Sequence, residues 1–205
     1  MINKKIQLLK YLISDIVSAI LAWVLFFVFR KVTIEYLLFK DPNQIFLDSN
    51  LIKGIIFIPI FWVTLYFFQG FYQKVYVRSR LKDFVQTLVI SLIGVVILFF
   101  AFLLDDYVAT YTNYYLYFAV LFVLHFTITY IPRYIITSIT VKKVHRGKIE
   151  FPTILVVSDA EKALSLSQEI KNQVVSSGMS FAGYLSLKGE RFDKLEAAKF
   201  LSLPQ

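Results

Sequence analysis

Four stretches of this chain are too long and too apolar to be at ease in water. They cover residues 11–29, interrupted only by Asp15; 51–72, with Lys53 near one end and Pro59 inside; 84–104, without a charge; and 114–131, also uncharged, with His125 in its middle. About 20 apolar residues in a helix cross the roughly 30 Å hydrocarbon core of a bilayer. A soluble helix of that length normally keeps a polar stripe for solvent. The reading is a four-helix membrane bundle with spans at about 11–29, 51–72, 84–104 and 114–131.

Composition points the same way. Of 205 residues, 58% are hydrophobic, 18% aromatic and only 18% charged, with a mean hydropathy of +0.65. An average globular chain is about 45–50% apolar and about 25% charged, and a water-soluble fold this small has too little interior for the surplus. An ordinary cytosolic enzyme, a disordered chain and a secreted disulfide scaffold are excluded. The absence of Cys removes thiolate metal sites, iron–sulfur clusters and redox dithiols. His125 and His145 stand twenty residues apart with no carboxylate cluster beside either, so no metal site is indicated. The first span follows Lys4 and Lys5, but its apolar run is too long for a signal peptide and no small-residue cleavage site follows it.

The net charge of +8 divides unevenly. Residues 1–148 hold 16 Lys/Arg against 7 Asp/Glu, whereas residues 149–205 hold 6 against 7. Nucleic-acid binding wants a basic, soluble face, and this basic excess belongs to the hydrophobic part instead. Basic residues flanking apolar runs set membrane orientation. Lys4, Lys5 and Lys10, then Lys74, Arg78, Arg80 and Lys82, then Arg133, Lys142, Lys143, Arg146 and Lys148 fall on one side of a four-span topology. Arg30, Lys31, Lys40 and Lys53 fall on the other, beside a loop with Asp105 and Asp106. Twelve against four places both termini in the cytoplasm. Tyrosines 107, 111, 114, 115 and 117 suit an outer interfacial belt, and Tyr130 and Tyr134 an inner one.

Three groups inside the spans have two readings each. Asp15, about one turn inside the first span, is either a substrate or proton contact or a carboxylate paired near the headgroups with Arg133 or Lys10, and pairing is expected. His125 is either a proton relay or a neutral imidazole bonded to a neighbouring helix; a relay wants further acids at that depth, so packing is expected. Pro59 kinks or loosens the second span, which membrane helices tolerate. No G-x-x-x-G occurs, so no dimer face is assigned. The basic stretches 74–82 and 142–148 either bind anionic headgroups and lipid phosphates or only set topology, the latter expected.

From Glu150 the texture is that of an α/β domain. Residues 153–157 (TILVV) read as a buried strand, and Ser158 to Glu161 as a capping box opening a helix with Ala163, Leu166, Ile170 and Val174 on its buried face. Ser177 and Gly178 make a turn, residues 181–187 a second strand, and a further helix starts around Lys194 with Ala197, Ala198 and Leu201. Strand, helix, strand is the opening of a doubly wound domain. Residues 149–205 therefore read as an incomplete Rossmann-like βαβ domain, and the chain as a piece of a longer protein. The turn Val157-Ser158-Asp159-Ala160 has no glycine and puts an acid where a phosphate would sit, so nucleotide binding there is not expected.

The segments FFQGFYQKVYVRSRLKDF (67–84), LIGVVILFFAFLLDD (92–106), NYYLYFAVLF (113–122) and TYIPRYIITSITVKKVHRGKIEFPTILVV (129–157), with Asp15 in the first span and Arg30-Lys31 at its end, carry a likeness over essentially the whole chain. The chain resembles the amino-terminal half of bacterial polyprenyl glycosylphosphotransferases, the membrane sugar-phosphate transferases of capsule and exopolysaccharide synthesis. The resemblance implies four spans in the bacterial inner membrane, a cytoplasmic Rossmann-like domain and, beyond it, a magnesium-dependent catalytic domain. That domain transfers a sugar 1-phosphate from a nucleotide sugar to undecaprenyl phosphate. None of its catalytic positions occurs in these 205 residues, so no catalytic, cofactor-binding or metal residue is assigned and no cofactor is expected here. Ser158-Asp159 stands where that family often has a glycine-bearing turn. The implied partners are the bilayer, anionic lipid or undecaprenyl phosphate and a second copy of the chain, and not nucleic acid. Two alternatives share the four-span pattern: the membrane half of a nucleotide-sugar dehydratase or epimerase, and a non-catalytic scaffold of a polysaccharide-assembly complex.

Overall fold

Four helices carry the apolar sequence. The computed structural model describes residues 4–32, 49–73, 75–76, 78–103, 111–157, 160–172, 176, 178–186 and 199–200. Helix α1 runs Lys4–Arg30, α2 Ser49–Phe68, α3 Arg80–Leu98 with a π-helical turn Phe99–Leu103, and α4 Tyr111–His145. Each is long and apolar enough to cross a membrane, and the architecture is that of a multi-pass helical membrane protein. The chain divides into two compact units between Ser138 and Ile139.

The helix ends depart from the hydropathy boundaries for local reasons. Helix α1 starts at Lys4, because a basic first turn remains helical outside the apolar zone. Helix α2 stops at Phe68 although apolar residues continue to Tyr72. Gly70 takes φ +71°, the Phe71 N–H donates to the Tyr66 carbonyl (3.0 Å) and the Gly70 N–H to that of Phe67 (2.9 Å). This is a Schellman cap, which needs a left-handed residue that glycine supplies without strain. Ser79 caps α3 by accepting from the Lys82 N–H, so the third helix starts four residues earlier than its apolar run.

Helix α4 departs most. Its expected end at 131 sits before Pro132, which has no N–H and strands the carbonyl four residues back. That carbonyl belongs to Ile128, and the Ser18 hydroxyl of α1 donates to it at 3.1 Å. With the orphan satisfied from a neighbouring helix, α4 continues through Pro132 to His145. It ends on a second Schellman cap, with Gly147 at φ +65° and Lys148 N–H on the Lys143 carbonyl at 2.9 Å.

Helices α1 and α3 bury polar side chains and expose many aliphatic ones. On α1, Gln7, Tyr11, Asp15, Ser18 and Ala22 face inward, while Ile6, Leu9, Ile13, Val17, Leu21 and Leu25 are about half exposed. On α3, Asp83, Thr87 and Ser91 are buried and Leu81, Val85, Val89 and Ile93 are exposed. Lipid tails are as apolar as leucine, so aliphatic side chains gain nothing by leaving them, whereas polar groups must find partners in the interior. Tyr117, assigned above to the outer belt, is a correction: it is 2% exposed, edge-on to Phe26. Tyr115 remains exposed, and residues 104–110, including Tyr107, Asp105 and Asp106, lie outside the described set.

Two glycines seat the interior tryptophans. A Cβ on Gly94 of α3 would collide with the Trp62 ring, and one on Gly54 of α2 with the Trp23 indole. Pro59 is also buried within α2.

In residues 139–205, β1 (Phe151–Val157), α5 (Ala160–Asn172), β2 (Met179–Ser186) and β3 (Lys199–Phe200) form a three-stranded parallel sheet in the order β1-β2-β3. Three readings are corrected. Strand β1 is not buried on both faces: Ile154 and Val156 are 49% and 59% exposed, because α5 packs on one side. On α5, Leu166, read as part of the buried face, is 42% exposed, whereas Ser167 is buried. Lys199–Phe200, read as helix, pairs with β2, since the open edge of β2 offers hydrogen bonds that outweigh a weak helical preference. Ser158, Asp159, Ala197, Ala198 and Leu201 lie outside the described set. Gly178 takes φ +79°, as a turn before β2 requires.

Gly94→Ala should therefore destabilise the bundle by about 1–3 kcal/mol, the usual cost of overpacking. Reversible unfolding in mixed micelles measures this, and Gly94→Ala with wild-type stability contradicts the seating of Trp62.

Candidate functional site

The helices converge on charge. Asp15 lies three turns into α1, about 16 Å along the axis from Lys4 at 1.5 Å per residue. Its Oδ1 accepts from Arg133 Nε of α4 at 2.7 Å, and neither side chain has any exposed surface. Its Oδ2 accepts from the Tyr72 hydroxyl at 2.7 Å, from the turn after α2. Arg133 Nη1 donates to Thr87 Oγ1 of α3 at 3.1 Å. The guanidinium carbon stands 3.9 Å from the centroid of Tyr66 and 3.7 Å from that of Phe71. Arg133 Nη2 alone has no hydrogen-bonding partner in the protein, and the two ring faces supply compensation of the cation–π kind. One ion pair thus draws on all four helices.

A second pair flanks the first. Arg78 Nη1 meets Asp83 Oδ1 at 2.9 Å, with side chains 6% and 1% exposed, and Nη2 donates to the Phe71 carbonyl. Its guanidinium carbon lies 3.5 Å from the Phe71 centroid. Thr137 donates to Asp83 Oδ2, so the Tyr11 hydroxyl, 2.7 Å from Thr137 Oγ1, is the donor in that bond. The Phe71 ring is shared by both arginines. Burial and then the Asp15 carboxylate raise the Tyr72 phenol, which stays an O–H donor. Burial lowers Arg78 while Asp83 and Tyr11 oppose it, and Arg78 remains a cation.

Farther along α4, His125 stacks on Trp62 (3.5 Å between centroids, 12° between planes), and its Nε2 shares a hydrogen bond with the Tyr66 hydroxyl at 2.9 Å. Thr129 approaches the same nitrogen at 3.5 Å.

Asp15 is paired with Arg133, one of its two expected partners. His125 bonds to α2 as a packing group. Arg78 and Arg133, counted above among the cations that set topology, are instead interior groups, which leaves ten basic residues on that side against four. Lys74 lies outside the described set. The interior roles of Asp83, Thr87, Thr137, Tyr11 and Tyr72 were not read from the sequence. Spacing carries the signal: His125, Thr129, Arg133 and Thr137 recur every fourth residue on α4, as do Asp83, Thr87 and Ser91 on α3 and Tyr11 and Asp15 on α1. Each run is a stripe on one helix face.

Both buried carboxylates serve an arginine, and among the described residues no three His, Asp or Glu come together. These residues do not fit a divalent cation. No family model, curated protein or solved structure matches this chain, so the chemistry of the seam follows from its geometry. Paired acids and bases, with hydroxyls oriented by them, are arranged to hold helices together.

Phe71→Leu keeps an apolar side chain and removes the ring that both arginines share. It should cost about 2 kcal/mol, the scale of a desolvated cation–π contact, while Phe68→Leu on the exposed surface should cost almost nothing. Unfolding of the two variants in the same micelles compares them directly.

Proposed function

We propose that this chain is the membrane-anchoring and assembly portion of a sugar transferase. The enzyme would move a sugar 1-phosphate from a nucleotide sugar to undecaprenyl phosphate in capsule or exopolysaccharide synthesis. It would sit in the bacterial inner membrane with both termini cytoplasmic. The observation that carries the anchoring role is the internal pairing of Asp15 with Arg133 and Asp83 with Arg78. A reaction centre keeps an acid, base or nucleophile open to substrate, whereas these four charges are consumed in pairing with one another inside the bundle.

The order of elements supports the wider reading. A parallel β1-α5-β2 unit follows the fourth helix directly, which is the order of the resembling family, where a Rossmann-like domain joins the spans to the catalytic domain. In this role the bundle tethers the chain to the membrane, and the β1-α5-β2 unit follows it in sequence. Magnesium chemistry belongs to the catalytic domain of such an enzyme, not to these residues.

The purified 205-residue chain, given a nucleotide sugar, magnesium and undecaprenyl phosphate, should transfer no sugar 1-phosphate above a mock preparation. A chimera in which it replaces the membrane half of an active transferase should insert and retain activity. Transfer by the chain alone, or an inserted but inactive chimera, overturns the reading.

A further inference from the structure

The seam occupies one end of the bundle; a different feature occupies the other. Where the last turns of α1 meet the first turns of α2, a cleft of about 490 Å³ opens. Trp23, Gly54 and Phe57 line it with Arg30 and Lys53, and Phe27, 2% exposed, lies behind them. The absence of a Cβ at Gly54 lets the Trp23 indole lie against α2, where its N–H donates to the Leu51 carbonyl at 3.4 Å. Arg30 and Lys31 stand 6.0 and 5.6 Å from the Phe27 centroid, so cationic and aromatic surfaces are continuous. Asn50 lies on the lining beside Lys53.

An occupant must be apolar along most of its length and anionic at one end. A free anion makes no use of the aromatic lining at Trp23 and Phe57. A zwitterionic lipid brings its own cation to Arg30 and Lys53. Phe57 is 64% exposed, so the cleft opens sideways, as entry from a bilayer requires. Basic residues between membrane helices are a recurrent way of holding anionic headgroups.

We propose that this cleft binds one anionic phospholipid, with its phosphodiester at Arg30 and Lys53 and an acyl chain along Trp23 and Phe57. The site is separate from the basic stretches 74–82 and 142–148 and requires only that α1 and α2 cross a bilayer; it does not rest on the transferase reading. The lipid bridges the carboxyl end of α1 to the amino end of α2.

Native mass spectrometry of the whole 205-residue chain in mild detergent tests this, with dioleoyl phosphatidylglycerol, dioleoyl phosphatidylcholine and glycerol phosphate as probes. One phosphatidylglycerol should be retained at least tenfold more tightly than phosphatidylcholine, and glycerol phosphate should neither bind nor compete. Lys53→Glu, on an exposed side chain, should weaken phosphatidylglycerol at least tenfold, while Lys82→Glu in the first turn of α3 should leave it unchanged. Equal retention of the two lipids, full competition by glycerol phosphate, undiminished binding to Lys53→Glu, or loss of binding in Lys82→Glu would each overturn the proposal.

Discussion

A guanidinium and a carboxylate in contact, both removed from solvent, govern this bundle. Isolated charges at membrane depth cost several kcal/mol each, so Asp15 and Arg133 constrain one another and everything that must complete their hydrogen bonds. Arg133 needs Thr87 from α3 and the rings of Tyr66 and Phe71; Asp15 needs the Tyr72 hydroxyl. The chain after α2 therefore turns at Gly70 and folds its aromatic residues back against the helices. Arg78 and Asp83 extend the same arrangement to the start of α3. In lipid the hydrophobic effect does not drive helix to helix, and a polar seam supplies both cohesion and register.

The existence of four helices was legible because hydropathy over 20 residues is a bulk property that local detail does not disturb. Their ends were not, since ends are set by single atoms. Gly70 stops α2 inside an apolar run, and Ser18 lets α4 pass Pro132 by supplying the donor that proline lacks. That second effect links residues 110 apart in sequence, and no window on α4 contains it. Pairing of Asp15 was readable from the cost of a lone charge, with Arg133 or Lys10 as partner. Its companions were harder, because Thr87 and Thr137 look like ordinary span residues until their fourfold spacing is set beside Asp83 and Arg133. Arg78 and Arg133 belong to basic clusters that flank the spans, and a count of charges does not reveal which of them turn inward.

The second unit repeats the lesson at smaller scale. Strand, helix and strand were visible in alternating texture, and β1 and β2 pair in parallel as that order requires. Burial was over-read. A β-branched run such as Thr153–Val157 suits a strand covered on both faces, yet Ile154 and Val156 are half exposed, and among the described residues α5 is the helix that packs on the sheet. Lys199–Phe200 joined the sheet because an unpaired edge offers backbone hydrogen bonds that sequence texture does not record. A bundle held together by internal ion pairs is the physical basis of the proposed anchoring role.

The most direct measurement is a double-mutant cycle on Asp15→Leu and Arg133→Met, by reversible unfolding of the protein in lipid bicelles. Each single change leaves a buried charge unpaired and should cost about 3–5 kcal/mol. The double variant removes both charges and should recover much of that loss, giving a coupling above about 2 kcal/mol. Additive single effects, or single variants as stable as wild type, would mean that the bundle does not depend on this pair.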